Sequence, residues 1–321
     1  MAKEHRAFVF PGQGAQRVGM GRDIAQSFPA AMLVYEEVDE ALGEAFSDTV
    51  WNGTEEVLQL TRNAQPALMA TSMAALRALE AEGVPISLAD YMAGHSLGEY
   101  TALCAAGSIS IGDAARLLRT RGEAMQRAVP LGDGAMAALL GLDLESATSV
   151  ARDASQGEIC GAANDNDPKQ VVVSGHRGAV ERAVRLAKSR GARRAVMLPV
   201  SAPFHCSLME PAAEEMACAL ESVNFRRPNV PVVANVSANP EFDPAEIKRN
   251  LVEQVTRTVR WRETILWMIG EGVSQICEIG VGSALSGMAR RIDKSLDCIV
   301  VNDAGSLRSV AMDLRKQDGD V

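Results

Sequence analysis

Short apolar segments alternate with longer amphipathic ones along the first part of the chain. Residues 6–10 form an apolar run that stops at Pro11-Gly12-Gln13-Gly14, and residues 30–42 and 65–82 carry Ala, Leu and Met at helical spacing. The short run predicts a buried strand and the longer segments predict helices. A second strand ending near residue 93, a helix after Ser96 and an amphipathic helix over 111–128 follow. This alternation predicts an α/β fold with a parallel sheet covered by helices.

The pattern changes over residues 130–198. Strands are predicted at 134–141, 158–163, 170–174 and 193–198, with helices at 144–154 and 177–188 and a turn at 164–168. The order βαββαβ is that of a split βαβ, or ferredoxin-like, unit. The sequence therefore predicts a small domain at 130–198, inserted between residues 1–129 and 199–321 of a discontinuous large domain.

Alternating elements return after residue 198 and continue the large sheet. The pattern predicts helices at 211–223, 244–254, 261–271 and from 283 through 289, and strands at 230–234, 275–279 and 299–301. The polar tail over 315–321 is expected to be frayed.

The pentapeptide Gly94-His95-Ser96-Leu97-Gly98 lies between a predicted strand and a predicted helix. Strand, G-x-S-x-G and helix in this order are the signature of a nucleophile elbow, in which a serine projects from the end of a sheet. The glycines let the two backbones approach closely. The large domain is therefore predicted to be α/β-hydrolase-like, with Ser96 as a candidate nucleophile.

Composition and charge exclude several other classes. The net charge of −9 argues against nucleic-acid binding, and the longest apolar runs are far too short for a membrane span. The six cysteines are scattered without metal-ligand spacing, and the first residues lack a signal-peptide core. These features predict a cytoplasmic enzyme with reduced cysteines and no metal site.

A serine needs a positioned base, and the chain offers four histidines. His5 lies in a charged terminal segment, His95 should point away from the serine hydroxyl, and His176 starts a helix in the predicted insertion. His205 remains, in a proline-rich loop where the chain re-enters the large domain. No acidic third member is evident, so a backbone carbonyl could hold the imidazole and make a Ser-His dyad.

With these features together, the chain resembles the malonyl-CoA:acyl carrier protein transacylase family, which includes the acyltransferase domains of fatty-acid and polyketide synthases. The resemblance extends from residue 8 to about residue 291. The segments that carry it are 10–16 (FPGQGAQ), 94–100 (GHSLGEY), 121–122 (RG), 134–136 (GAM), 202–205 (APFH) and 235–238 (NVSA).

The resemblance implies that Ser96 is acylated and that His205 is its general base. It also implies that the main-chain amides of Gln13 and Leu97 form the oxyanion hole. A Gly-Gln-Gly loop after the first strand could place an exposed amide beside an elbow. The main-chain carbonyl of Gln254 would orient the histidine.

The same resemblance implies a binding site for the acyl group. Arg121 would bind the free carboxylate of a malonyl group, although in the sequence alone it is typical of a solvated helix arginine. Met125 lies one helical turn further on and would line the same pocket, and Asn164 matches an active-site asparagine of the family. Phe204 stands where many stand-alone members have Ser, and a bulky ring there favours malonyl over methylmalonyl groups.

The expected function is malonyl transfer from malonyl-CoA to the phosphopantetheine thiol of acyl carrier protein, by a ping-pong mechanism that supplies fatty-acid synthesis. No cofactor is expected, and the enzyme is expected to be a monomer. The alternatives are a stand-alone acyltransferase of a polyketide pathway, a serine thioesterase or other hydrolase, and a non-catalytic module that binds a carrier protein. Basic side chains at 185–194 or 290–294 are candidates for carrier-protein docking.

Overall fold

The computed structural model describes residues 5–319 of the protein, and the alternating pattern of the sequence appears there as two sheets with their helices. The strands are β1 His5–Phe10, β2 Tyr91–Gly94, β3 Gly134–Leu140, β4 Cys160–Asp167, β5 Gln170–His176, β6 Arg194–Met197, β7 Val232–Val233, β8 Pro240–Glu241, β9 Val273–Ile279 and β10 Asp297–Val301. The helices are α1 Arg22–Ser27, α2 Pro29–Leu42, α3 Phe46–Asn52, α4 Glu55–Gln59, α5 Thr61–Ala81, α6 Leu97–Ala105, α7 Ile111–Arg127, α8 Leu144–Ser155, α9 Arg177–Ser189, α10 Glu210–Glu221, α11 Pro244–Gln254, α12 Trp261–Gly270, α13 Ala284–Ile292 and α14 Ala304–Gly319. Short 3₁₀ helices occupy Ile86–Leu88 and Ser207–Met209.

The larger sheet has the order β10-β9-β1-β2-β7-β8, and its strands are parallel except at the β8 edge. In β1, Phe8 and Phe10 pack into the core on one face, whereas Ala7 and Val9 pack into the core on the other face. Because helices cover both faces, the strand is apolar at every position from 7 to 10 rather than at alternate ones. Phe10 is in register with Gly94, so the loop after β1 lies beside the end of β2.

The second sheet has the order β4-β5-β3-β6 and is antiparallel throughout. Helices α8 and α9 pack against one face through an apolar cluster that includes Val150, Val173 and Val180. Met136 and Val172 on the opposite face join the core of the larger sheet. The mixed α/β character and the element order 134–197 agree with the prediction.

The turn predicted at 164–168 is wrong for most of its length, because β4 continues to Asp167 and the turn is confined to residues 168 and 169. The polar residues of this strand are buried but paired. Asp165 is 2.9 Å from the Arg262 guanidinium, and Asp167 is 2.7 Å from that of Arg291. These ion pairs compensate the burial of the two carboxylates, so residues typical of a turn lie in a strand.

The frayed tail predicted at 315–321 is wrong for residues 315–319, which lie in α14. Leu307, Ala311 and Leu314 are buried on one side of this helix, at the three- and four-residue spacing of a helical face. Residues 320 and 321 lie outside the described part of the chain. Within residues 5–319, no helix has both the length and the apolar character needed to cross a membrane.

Candidate active site

Ser96 lies in the sharp turn between β2 and α6, as predicted, with φ 55° and ψ −111°. This conformation is unfavourable for any residue except glycine. A Cβ on Gly94 would lie 1.8 Å from the Gly98 carbonyl oxygen, and one on Gly98 would lie 2.4 Å from the Phe10 oxygen. Both glycines are therefore required by the close approach of strand, turn and helix.

Asn235 holds this strained turn in place. Its Oδ1 accepts a hydrogen bond of 2.7 Å from the Ser96 amide, and its Nδ2 donates one of 2.7 Å to the Gly94 carbonyl. Asn235 is fully buried directly after β7, the strand that pairs with β2. Two buried backbone groups of the turn thus obtain partners from one side chain.

His205 meets the serine hydroxyl, as predicted. Its Nε2 is 2.8 Å from Ser96 Oγ, and its Nδ1 is 2.7 Å from the main-chain oxygen of Gln254. Because a carbonyl only accepts, Nδ1 carries the proton and Nε2 is free to accept from the serine. Burial, followed by the positive charge of Arg121, lowers the pKa of His205 to about 3, so the ring is neutral at physiological pH.

The other histidines behave differently. His95 directs Nε2 to Asn166 Oδ1 at 2.9 Å, and burial lowers its pKa. His176 directly precedes α9 without a side-chain capping hydrogen bond, and its Nδ1 accepts a hydrogen bond from the Ile159 main-chain amide. His5 begins β1 with a half-exposed side chain. Within residues 5–319, none of these three histidines has a hydrogen bond to Ser96 Oγ.

Arg121 is buried, with 1 % of its surface exposed, and is not the solvated arginine that its helix pattern suggests. Its Nη1 donates to Gln65 Oε1 at 2.7 Å, and its Nη2 donates to Gln254 Oε1 at 2.8 Å and to Ser96 Oγ at 3.2 Å. The two glutamines fix the plane of the guanidinium. Gln65 Nε2 also contacts the sulfur of Met125 at 3.7 Å, so Met125 lies beside the glutamine that holds Arg121.

The loop after β1 packs against the serine turn. A Cβ on Gly12 would lie 2.6 Å from the His95 oxygen, so only glycine permits this approach. The main-chain amides of Gln13 and Leu97 have no hydrogen-bond partner within residues 5–319. Leu97 is the first residue of α6, where the amides carry the positive end of the helix dipole. Two donors are therefore available for an oxyanion.

The structure does not join every predicted residue to this site. Asn164 lies in β4, where its backbone bridges to Val259, and its side chain makes no hydrogen bond to the serine or histidine in the described chain. Its neighbour Asn166 instead contacts His95. Phe204 is mostly buried next to His205 and packs into the main core.

Sequence reasoning assigned no role to three side chains of the network, Asn235, Gln65 and Glu99, although Asn235 and Glu99 lie in segments that carry the family resemblance. Glu99 is fully buried in α6, and its Oε2 accepts from the Asn235 amide at 3.0 Å and from Gln254 Nε2 at 2.9 Å. The available signal was a polar residue within an apolar helix, at position 65 in α5 and position 99 in α6. That signal alone does not identify a partner.

An open cleft of about 480 Å³ reaches the site and includes His205, Cys206 and residues 256–258 in its lining. A larger one of about 850 Å³ lies against α8 and contains none of the candidate residues. Among residues 5–319 there is no group of three or more His, Cys, Asp or Glu side chains arranged to hold a metal ion.

A parallel α/β sheet with a serine in a strand-to-helix turn and a histidine on its hydroxyl is the arrangement of serine-dependent acyl-transfer enzymes. Residues 7–315 match the acyl transferase domain family. The chain is 44% identical to the malonyl CoA-acyl carrier protein transacylase of Bacillus subtilis, over 97% of this chain and 98% of that protein. It is 42% identical to the Escherichia coli K12 enzyme of the same name, over 94% and 97%. The chain belongs to the malonyl CoA-acyl carrier protein transacylases, which are acyltransferases.

Solved structures agree with this assignment. The acyl-carrier-protein S-malonyltransferase of Bartonella henselae superposes with a TM-score of 0.94 at 51% identity, over 97% of this chain and 99% of that one. A malonyl-transacylase in complex with a type II polyketide synthase acyl-carrier protein superposes with a TM-score of 0.93 at 43% identity, over 96% and 99%. The architecture of this chain therefore occurs in solved structures of related acyltransferases.

Proposed function

We propose that this enzyme transfers the malonyl group of malonyl-CoA to the phosphopantetheine thiol of acyl carrier protein through a malonyl-Ser96 intermediate. One observation carries the proposal: Ser96 Oγ lies 2.8 Å from His205 Nε2 and 3.2 Å from Arg121 Nη2. A base and a carboxylate-binding cation thus meet at the same hydroxyl. The names of the relatives support the same substrates.

In the first half-reaction, Ser96 Oγ attacks the thioester carbonyl while His205 Nε2 takes its proton. The main-chain amides of Gln13 and Leu97, which have no partner within residues 5–319, would donate to the oxyanion and stabilise its charge. His205 then protonates the departing CoA sulfur. The Gln254 carbonyl stabilises the imidazolium that forms between these steps, because it accepts from Nδ1 at 2.7 Å.

Arg121 selects an acyl group that ends in a carboxylate. One Nη2 hydrogen is directed at Ser96 Oγ through a long contact of 3.2 Å, and Nε has no partner within the described chain. When Ser96 is malonylated, the malonyl group replaces the hydroxyl proton and brings its free carboxylate toward these donors. Two parallel, charge-assisted hydrogen bonds are the favoured geometry for this pair. Met125 and Phe204 would form the apolar boundary of the acyl pocket.

In the second half-reaction, His205 takes the proton of the pantetheine thiol as its sulfur attacks the malonyl-Ser96 ester. The ester bond to Ser96 Oγ then breaks, His205 returns the proton to this oxygen, and the malonyl thioester leaves. The basic segment 185–194 is the better candidate for carrier-protein docking, since Arg185 and Lys188 on α9 and Arg194 at the start of β6 are exposed. In the other segment, Arg291 pairs with Asp167, and Arg290 donates to the Cys298 carbonyl. Neutralising the α9 residues should weaken transfer to the carrier and spare acylation by malonyl-CoA.

The finer architecture forms part of this proposal. The strand order β4-β5-β3-β6 and the element order βαββαβ support a ferredoxin-like small domain at 130–198. The serine turn supports an α/β-hydrolase-like large domain formed by 1–129 and 199–321. We further propose a monomeric cytoplasmic enzyme whose chemistry uses the described side chains without a cofactor.

Mass spectrometry of the intact protein after mixing with malonyl-CoA tests the function. A malonyl adduct on Ser96 that moves to holo acyl carrier protein supports it, and Ser96→Ala should prevent the adduct. Release of malonate without transfer to any thiol would instead establish a hydrolase. Comparison of fatty-acid and type II polyketide carrier proteins as acceptors distinguishes the two pathways, since a relative was solved with a polyketide carrier.

A further inference from the structure

Glu99 is a fully buried carboxyl group beneath the serine turn that the reaction described above does not use. Both of its hydrogen bonds are made by one oxygen. Oε2 accepts from the main-chain N–H of Asn235 at 3.0 Å and from Gln254 Nε2 at 2.9 Å. The other oxygen, Oε1, has no hydrogen-bond partner within residues 5–319. A fully buried carboxylate with a free oxygen is costly and calls for a compensating function.

Glu99 acts on the site through Gln254. Gln254 Nε2 donates to Glu99 Oε2 and, at 2.9 Å, to the Ser96 carbonyl, so the amide nitrogen must face these two acceptors. This orientation directs Gln254 Oε1 at Arg121 Nη2, and the main-chain oxygen of the same residue holds His205. The carboxylate thereby sets the orientation of the glutamine that contacts the base and the guanidinium.

Charges around Glu99 come from two other elements. Arg121 on α7 favours its ionised form, whereas Glu241 on β8 is a like charge. Burial is the largest cause of its raised pKa, about 7, and hydrogen bonds from Gln254 and Asn235 and the charge of Arg121 partly offset it. Burial, followed by the charge of Glu99, raises the pKa of Glu241 to about 8. Tyr100, also buried beside Arg121, has its pKa raised by burial and stays neutral.

We propose that Glu99 is a positioning residue whose charge regulates how strongly Arg121 holds the carboxylate of the acyl group. The proposal rests on the malonyl transfer proposed above. When Glu99 is ionised, it compensates the guanidinium charge and repels a second carboxylate. When Glu99 is protonated, the full charge of Arg121 is available to malonyl. By linkage, malonylation of Ser96 favours uptake of a proton at Glu99.

The proposal predicts that malonylation of Ser96 weakens as the pH rises. His205 is neutral at every pH well above 3, so it contributes no change between pH 6 and pH 9. As pH rises through about 7, Glu99 ionises, and malonylation should weaken. If the malonyl carboxylate raises the pKa of Glu99 by one unit, malonylation at high pH should be about tenfold weaker than at low pH, and each further unit should add another factor of about ten. Acetyl transfer lacks the second carboxylate and should stay flat over this range.

Glu99→Gln tests the proposed effect of the charge. Its side-chain oxygen at the Oε2 position can still accept from the Asn235 main-chain N–H and from Gln254 Nε2, while the negative charge is removed. Rapid-quench mass spectrometry would give Ser96 acylation rates with malonyl-CoA and acetyl-CoA from pH 6 to pH 9. The wild type should lose malonylation with rising pH, and Glu99→Gln should hold its low-pH rate throughout. Glu99→Ala removes the hydrogen bonds as well and should slow both acyl groups at every pH.

Glu278→Gln is the control, since Glu278 is fully buried and accepts hydrogen bonds from the main-chain amides of Leu285 and Ser286 rather than from a group that contacts Arg121 or His205. The variant gives up one of these two hydrogen bonds, so its stability is measured alongside its pH profile. It should keep the wild-type pH profile. Glu241→Gln should leave the decline in place, because the pKa of Glu241, raised to about 8 by burial and the charge of Glu99, keeps it largely protonated where Glu99 ionises. A decline that persists in Glu99→Gln, or that disappears in Glu241→Gln, overturns the proposal. If malonylation of the wild type does not change between pH 6 and pH 9, the proposal for Glu99 fails and the proposed function stands. If no malonyl adduct forms at any pH, the proposed function fails as well.

Discussion

Replacing Arg121 by methionine separates carboxylate recognition from the acyl-transfer chemistry. Methionine fills much of the same volume without hydrogen-bond donors or charge. In the native site the guanidinium is oriented by Gln65 and Gln254, and its Nη2 also donates to Ser96 Oγ at 3.2 Å. Arg121→Met should therefore remove the attraction for a malonyl carboxylate while leaving the 2.8 Å contact between Ser96 and His205 in place.

The expected magnitude follows from the hydrogen bonds lost. A hydrogen bond to a charged group contributes about 1.5–3 kcal/mol, so two of them contribute about 3–6 kcal/mol. At about 1.4 kcal/mol per factor of ten, kcat/KM for malonyl-CoA should fall by about a hundredfold to ten-thousandfold. Acetylation depends on neither bond and should change by less than about tenfold.

The same change should shift a second measurable quantity. The charge of Arg121 is the second cause, after burial, of the low pKa of His205, about 3. Without it the pKa of His205 rises, and because the base must be neutral, the acidic decline of acetyl transfer should move to higher pH. Single-turnover acylation with each thioester, followed against pH, measures both effects.

Arg119→Met is the matched control for this experiment. Arg119 lies on the same helix but pairs with Asn63 and Glu44 outside the site, so both acylation rates should stay near wild type. Equal losses of malonyl and acetyl transfer in Arg121→Met would refute the carboxylate clamp and indicate that Arg121 only supports the structure.

Three further changes test the site. Gly94→Ala places a Cβ 1.8 Å from a backbone oxygen, so it should lower the thermal midpoint by several degrees or prevent folding, whereas Gly270→Ala, where the added Cβ meets nothing within 4 Å and φ is not positive, should be milder. Asn235→Ala leaves two buried backbone groups of the serine turn unpaired and should cost about 2–4 kcal/mol in urea unfolding; an unchanged midpoint would contradict this role. His205→Gln should reduce serine acylation by at least about a hundredfold at pH 7 while thermal unfolding stays close to wild type; rapid acylation in that variant would exclude His205 as the base.

Much of the fold follows from local sequence. The apolar run in β1 and the helical spacing in α5 and α7 were sufficient for correct assignment, because these elements are buried and keep a regular period. The serine turn could also be predicted, since its two glycines are required within five residues of each other and fall between a strand and a helix. Features that depend on neighbours in sequence were therefore predictable.

Features that depend on partners distant in the sequence could not be predicted from local pattern. Residues 164–167 have the composition of a turn, and they form a strand because Arg262 and Arg291, about a hundred residues later, pair with its two aspartates. Arg121 was assigned to the substrate only through family resemblance, because its helix pattern is that of an exposed arginine. Asn235 and Glu99 were missed for the same reason: each acquires its function from a contact more than a hundred residues away.

The candidate site depends on one buried hydrogen-bond network rather than on separate residues. Gln254 contacts the base through its main-chain oxygen, the guanidinium through Oε1 and the serine backbone through Nε2. Because the serine turn is strained and the surrounding charges are buried, each hydrogen bond offsets a cost that returns when its partner is removed. Substitutions at Gln254 and Arg121 should therefore be non-additive, and single changes cannot be read as independent contributions to catalysis.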